Sequence, residues 1–149
     1  MTEQADAGTD DARMLASLRE ISATAAFNRW AGFELVSAGA GAVALRMRWR
    51  EEAGQYSGFL HAGVIGALID TACGFAAGTV AGRVLASHYA VNCLAPAVGE
   101  SFLARAKVIR AGRRQVFASA ELFAEDGTGA APRLVATGNA ILVPVPSTS

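Results

Sequence analysis

Asp70 is the only charged residue between Glu52 and Arg83, and it stands mid-way along HAGVIGALIDTACGFAAGTVAG, a run otherwise almost wholly apolar or glycine. Burying an unpaired carboxylate costs several kcal/mol or forces it to take up a proton. Acids perturbed in that way gather at functional sites, where a carboxylate acts as a general base or a nucleophile. Nine residues upstream of Asp70, His61-Ala62-Gly63 falls where a helix would begin. The unpaired N–H groups of a helix start carry the positive end of its dipole and can stabilise an oxyanion. Cys73 lies close to the acid in sequence, but no histidine in helical register would activate it, and it reads as packing.

The run from about Gly63 to Val80 is too long for a strand and predicts a helix. At about 100° per residue, Asp70 shares a face with Gly66, Ala67, Cys73, Gly74 and Ala77, all small. The opposite side carries Ile65, Leu68, Ala72 and Phe75 and is expected to pack into a sheet. Glycine in a helix costs about 1 kcal/mol relative to alanine, so several of them favour a close approach. The approaching group is either a second helix or subunit, with Asp70 paired across the interface, or a substrate group in a slot against Asp70. The two coexist if the slot lies at a dimer interface.

Around that helix, residues 1–9 are expected to be disordered. Asp10 or Asp11 is expected to cap a helix through Met14, Leu15, Leu18, Ile21 and Ala25 to about Trp30. Strands are expected at Phe33–Ser37, Val43–Arg50, Leu85–Leu94, Phe102–Ala111, Gln115–Ala124 and Arg133–Val143, with a loop at Glu51–Leu60. Val43, Leu45, Met47 and Trp49 alternate with Arg46, Arg48 and Arg50, the pattern of a half-buried strand with one wet face. Residues 38–42 read as a glycine-rich turn, and Ala111-Gly112-Arg113 and Asp126-Gly127 as hairpin turns. The tail, residues 146–149, is expected to fray. This order predicts a single α+β domain over residues 10–145, a sheet of five to six antiparallel strands wrapped around one long helix, plus an N-terminal helix.

The 149 residues suffice for one domain with a sizeable core. At 52% hydrophobic and 17% charged, the chain carries more apolar material than a monomer needs, which points to self-association. Zero net charge gives no general attraction to nucleic acid or acidic membranes. Cys73 and Cys93 are far apart, with no histidines at ligand spacing, and predict thiols in a reducing compartment rather than a disulfide or a metal site. The acidic start MTEQADAGTDDAR is unlike a secretory signal, so a cytoplasmic protein is expected. Residues 59–81 are apolar enough to cross a bilayer, but the central Asp70 and the missing flanking basic cluster argue against a membrane span.

The stretch Gln55-Tyr56-Ser57-Gly58-Phe59-Leu60-His61-Ala62-Gly63-Val64, continuing to Leu68-Ile69-Asp70-Thr71-Ala72, resembles the signature of hotdog-fold acyl-CoA thioesterases. It is most similar to their phenylacetate-pathway (PaaI-like) branch, within the 4-hydroxybenzoyl-CoA thioesterase superfamily. Phe27-Asn28 with Gly32-Phe33-Glu34-Leu35-Val36 resembles that branch's first strand. Val91-Asn92-Cys93-Leu94-Ala95-Pro96-Ala97 with Gly99, Arg110-Ala111-Gly112-Arg113-Arg114, and Val135-Ala136-Thr137-Gly138 resemble its later strands.

The resemblance implies a hotdog fold and hydrolysis of an acyl-CoA thioester, without metal or cofactor, in a homodimer or tetramer. Asp70 would be base or nucleophile, the Ala62 N–H the oxyanion donor, Gln55 the group orienting thioester or water, and His61 a support for the loop. Acid and donor would come from different subunits. Gly63, Gly66 and Gly74 would line the substrate slot. Arg113 and Arg114 would meet the nucleotide end of coenzyme A, unless they are ordinary solvated turn residues. Three positions depart from the pattern: Ala62 replaces a glycine, Gln55 an asparagine, and Ala86 a serine or threonine that helps to hold water. The missing hydroxyl motivates an alternative, a non-catalytic module that binds acyl-CoA. An enoyl-CoA hydratase or dehydratase using His61 with Asp70 is a further one.

Overall fold

The computed structural model describes residues 2–146. Helix α1 (Thr2–Thr24) leads through the short α2 (Ala26–Ala31) into β1 (Glu34–Gly39) and β2 (Ala42–Arg48). Two single 3₁₀ turns, Glu51–Ala53 and Tyr56–Gly58, precede the long helix α3 (Ala62–Ala81). Strands β3 (Val84–Cys93), β4 (Ser101–Ala111), β5 (Val116–Glu125) and β6 (Arg133–Pro144) follow. The six strands form one antiparallel sheet in the order β1-β2-β4-β5-β6-β3, wrapped around α3 as expected for a hotdog fold.

Alternation writes the inner face of the sheet. Along β5, Val116, Ala118, Ala120, Leu122 and Ala124 are buried while Phe117 and Glu121 face out. Much of the inner face is alanine, which lets the helix settle close. At Gly138 a Cβ atom would come within 2.7 Å of the Ile69 side chain, so this strand position must be glycine for α3 to reach it. The apolar length of α3 is thus absorbed by β2, β4, β5 and β6, the packing of a core helix. The expected wet face of β2 is partly engaged: Arg46 forks onto Glu125 at 2.8 and 3.2 Å, and the Arg50 guanidinium lies 4.6 Å over the Trp30 ring.

The N-terminal region differs from expectation. The helix begins at Thr2 rather than at Asp10 or Asp11, across residues expected to be disordered. Glu, Gln and Ala there are good helix formers, and they extend α1 without burying any side chain over residues 4–13. It also does not run unbroken to Trp30: Ala25 is extended (φ −89°, ψ 118°), and α2 ends on Gly32 in the left-handed region. Helix α1 is pinned to the sheet by Arg19, whose Nε and Nη2 donate to the Leu35 carbonyl at 3.2 and 3.0 Å, beside a bulge in β1. The tail expected to fray falls, for residues 147–149, outside the described residues.

The two edges of the sheet differ. Strand β1 is packed against α1, whereas β3 pairs only with β6 and is exposed on both faces along most of its length. It carries Leu85 and Tyr89 at 62% and 50% exposure.

Candidate active site

The turn before α3 is tightly tied. The Gln55 N–H donates to the Phe59 carbonyl (2.7 Å), the Leu60 N–H to Ala97 (2.9 Å), and the His61 N–H to Ala53 (2.9 Å). Inside it, Ser57 is a non-glycine residue at φ 60°. Gln55 Nε2 donates to the Leu60 carbonyl at 3.3 Å, holding the side chain across the turn.

His61 is the N-cap of α3. Its Nδ1 accepts the Gly63 N–H at 2.8 Å, and its carbonyl accepts from Val64 (2.9 Å) and Ile65 (3.1 Å). A Cβ at Gly63 would lie 3.0 Å from that same Nδ1, so glycine there serves the cap. Four N–H groups open any α-helix without an intrahelical partner. Here the His61 N–H goes to the Ala53 carbonyl, those of Gly63 and Val64 go to His61, and the exposed Ala62 N–H alone donates to no group among the described residues. Gln55 and Ala62 line a shallow depression of about 320 Å³ with Phe59 and, from the end of β3 onward, Cys93 and Leu94.

Asp70 lies two turns further along α3, half-buried, with no hydrogen-bond or ion-pair partner among the described residues. Burial raises its pKa above the ordinary carboxylate value. Cys73, fully buried, has its thiol pushed up to about 12, by burial first and then by the Asp70 charge, so it is inert, as its sequence setting suggested.

Asp70 opens into a groove of about 810 Å³ between α1, α3 and the start of β3. The small face of α3 is rotated from the expected one. Cys73 and Ala77 point into the core, and Gly66 is covered by the Tyr89 ring, 3.3 Å from where its Cβ would be. The open side is Asp70, Gly74 and Gly78, where a Cβ at either glycine would meet nothing within 4 Å. Phe75, expected to pack into the sheet, lines this groove instead. The core side of α3 is filled by Ile65, Leu68, Ile69 and Ala72 together with Cys73, Ala76 and Ala77.

The groups do not all meet in one chain. Eight residues of helix separate Ala62 from Asp70, roughly 12 Å, too far for one carbonyl carbon to sit against both. Arg113 and Arg114 are exposed in the β4–β5 turn. The pairing of Val116 with Leu142, and of Leu142 with Ala86, puts that turn at the C-terminal end of α3, away from Ala62. Ala86 lines the Asp70 groove, while Ser87, displaced by a bulge, donates its hydroxyl to the Ile141 carbonyl on the sheet (3.3 Å).

Two contributors escaped the sequence. Met14, Leu18 and Ile21 read as ordinary packing of α1, yet they form a wall of the groove. Trp49 packs its ring over Gly54, where a Cβ would collide at 2.5 Å, and so shapes the turn that holds Gln55.

The family model of the thioesterase superfamily matches residues 57–131 of this chain, the segment that holds His61, Ala62 and Asp70. The chain belongs to the thioesterase superfamily. A thioesterase family protein from Silicibacter pomeroyi is 34% identical, with 84% of this chain and 93% of that one covered at a TM-score of 0.80. A thioesterase from Haemophilus influenzae (23% identical, 87% and 88% covered, TM-score 0.75) shares the fold of this thioesterase. So does the E. coli PaaI protein from the phenylacetic acid degradation operon (17% identical, 93% and 97% covered, TM-score 0.80). A search of curated proteins finds no match. Membership supports thioester hydrolysis in general.

Proposed function

We propose that this thioesterase hydrolyses acyl-CoA as a homo-oligomer, with Asp70 of one protomer and the Ala62 N–H of a second completing each site. The observation that carries the reading is the pairing of one unanswered, half-buried acid with one unanswered helix N–H, set about 12 Å apart on a single helix. Two antiparallel copies of α3, brought together at the β3 edge, put each acid beside the other's N-terminus. The Asp70 carboxylate attacks the thioester carbonyl, the C–S bond breaks with coenzyme A leaving as thiolate, and water hydrolyses the acyl anhydride. Alternatively, Asp70 takes a proton from a water that attacks the carbonyl itself and expels the thiolate to give the acid directly. The Ala62 N–H receives the oxyanion. Gln55 orients thioester or water, His61 fixes the cap that leaves Ala62 free, Gly63 and Gly74 keep the path open, and Gly66 lets Tyr89 close over the helix. Arg113 and Arg114 of the second protomer, on the side of Asp70 away from Gly82, meet the phosphates of coenzyme A. A PaaI-like placement rests on the motif order around Asp70. A cytoplasmic location goes with the two free cysteines.

The test is release of free thiol from acetyl-, octanoyl- and phenylacetyl-CoA by wild type and Asp70→Asn. The variant is expected to lose about 10²–10⁴ in kcat. Equal rates would sink the reading. A second reading, acyl-CoA binding without turnover, is favoured by Ala86, which brings no hydroxyl to the groove. It predicts saturable binding with no thiol released from any of the three. A His61–Asp70 hydratase pair is disfavoured, because His61 Nδ1 is committed to the helix cap.

A further inference from the structure

We infer that α1 is the specificity wall of the Asp70 groove, and that the groove takes a straight aliphatic acyl chain laid along α3 from Asp70 towards Gly82. This rests on the thioester-hydrolysing reading and adds to it the substrate class and the residues that select it.

The direction of α1 follows from two contacts. The Asp11 carboxylate lies 3.3 Å from where a Cβ on Gly39 would be, and the Gly41 N–H donates to Thr79 Oγ at 2.7 Å. Asp11 is therefore level with the C-terminal end of α3, and α1 runs antiparallel to it. Ten residues on, roughly 15 Å, Ile21 comes level with Asp70, while Met14 stays near Gly78. The groove thus has a head, with Ile21 across from the acid, and a far end, with Met14 across from a glycine floor.

Shape and chemistry select the ligand. From Asp70 to Gly82 the groove follows α3 for roughly 18 Å, the reach of an extended medium-to-long chain and far beyond an aryl ring. Asp70 and Arg83, at its two ends, are the only charged residues among the described ones that line it. Between them the walls are mainly Leu18, Met14, Val84 and Leu85, with Ser17 and Thr71 as polar lining, and the floor is Gly74 and Gly78, with open space over both. The Thr79 hydroxyl in this stretch is already engaged, donating to Ala76 (2.6 Å) and accepting from Gly41, so it does not select for a polar chain.

Initial rates on acetyl-, butyryl-, octanoyl-, lauroyl- and phenylacetyl-CoA, with wild type, Gly78→Leu and Met14→Trp, test this. Wild-type kcat/KM is expected to climb about threefold or more per methylene until the groove is filled, and to favour octanoyl over phenylacetyl. Each variant blocks the far end, one from the floor and one from the wall, and is expected to lower the lauroyl-to-butyryl ratio at least about tenfold. Gly78→Leu also removes a helix glycine, so it should melt no lower than wild type. If Met14→Trp folds poorly, Gly78→Leu alone decides. An unchanged ratio in the folded variants, or a wild type indifferent to chain length, overturns the inference while leaving thioester hydrolysis intact. If wild type hydrolyses nothing, the thioesterase reading fails, and calorimetric Kd values for butyl- and dodecyl-CoA thioethers decide the groove: tighter dodecyl binding lost in Gly78→Leu upholds it, equal binding overturns it.

Discussion

Burial raises the pKa of Asp70, and no charged or hydrogen-bonding group among the described residues offsets it. The folded chain therefore holds this proton more tightly than the unfolded one. Between the unfolded value and the raised folded value it binds more protons, so stability falls as pH rises through that window. Above the raised value the ionised carboxylate is at its most destabilising. Asp70→Asn is expected to raise Tm at pH 7, with the gain fading as pH drops below the unfolded carboxyl value; calorimetry at several pH values checks this. Activity should run the other way and decline as pH falls through the raised pKa, because the carboxylate is the reactive form. For Ala62, proline is the discriminating substitution. It removes the N–H yet suits the first position of a helix, and His61 (φ −63°, ψ 136°) already has the backbone that precedes proline. Ala62→Pro is expected to lose about 10²–10³ in kcat with Tm unchanged. A loss smaller than about threefold would remove this N–H from the chemistry. Asp70 and the helix start were legible in the sequence as a lone charge and as the residues ahead of an apolar run. Which of four N–H groups stays free was not, since that depends on where one imidazole nitrogen points.

At the level of elements, the turn from Trp49 to Leu60 is a rigid mount for Gln55. Gly54→Ala drives a methyl into the Trp49 ring, and overpacking of that kind costs about 1–3 kcal/mol. It is expected to lower both Tm and kcat. Adding Trp49→Leu should recover much of both, and a double variant no better than the single would show that the clash is not the cause. Nothing local marks this contact, because it joins a strand-end tryptophan to a glycine through space. The strands were readable since period-two alternation survives in β2 and β5, and α3 since no strand is that long. The rotation of its small face was not, as apolarity around α3 is nearly uniform and the packing of the sheet decides which side is left open. The break at Ala25 was equally silent. Ala23, Thr24, Ala26 and Phe27 flank it with neither glycine nor proline, so only the docking of α2 sets it.

For the whole molecule, an edge strand exposed on both faces leaves a row of unpaired backbone groups, which stable monomers normally cover. If each site draws Asp70 from one protomer and the Ala62 N–H from another, two dead variants repair each other. Asp70→Asn and Ala62→Pro, mixed through reversible dissociation, form hybrid dimers with one intact and one doubly damaged site. Activity is expected to return to roughly a quarter of wild type under C2 symmetry. No recovery in hybrids verified by mass would confine each site to one chain. The composition of α3 has a last consequence, in time rather than in space. Its interior glycines leave it a weak helix by itself, and four of the six strands of the sheet that clothes it lie downstream. A ribosome needs roughly 3–13 s to add the about sixty residues from Ala81 to Pro144. For that interval the most apolar segment of the nascent chain has only the β1–β2 pair to pack against.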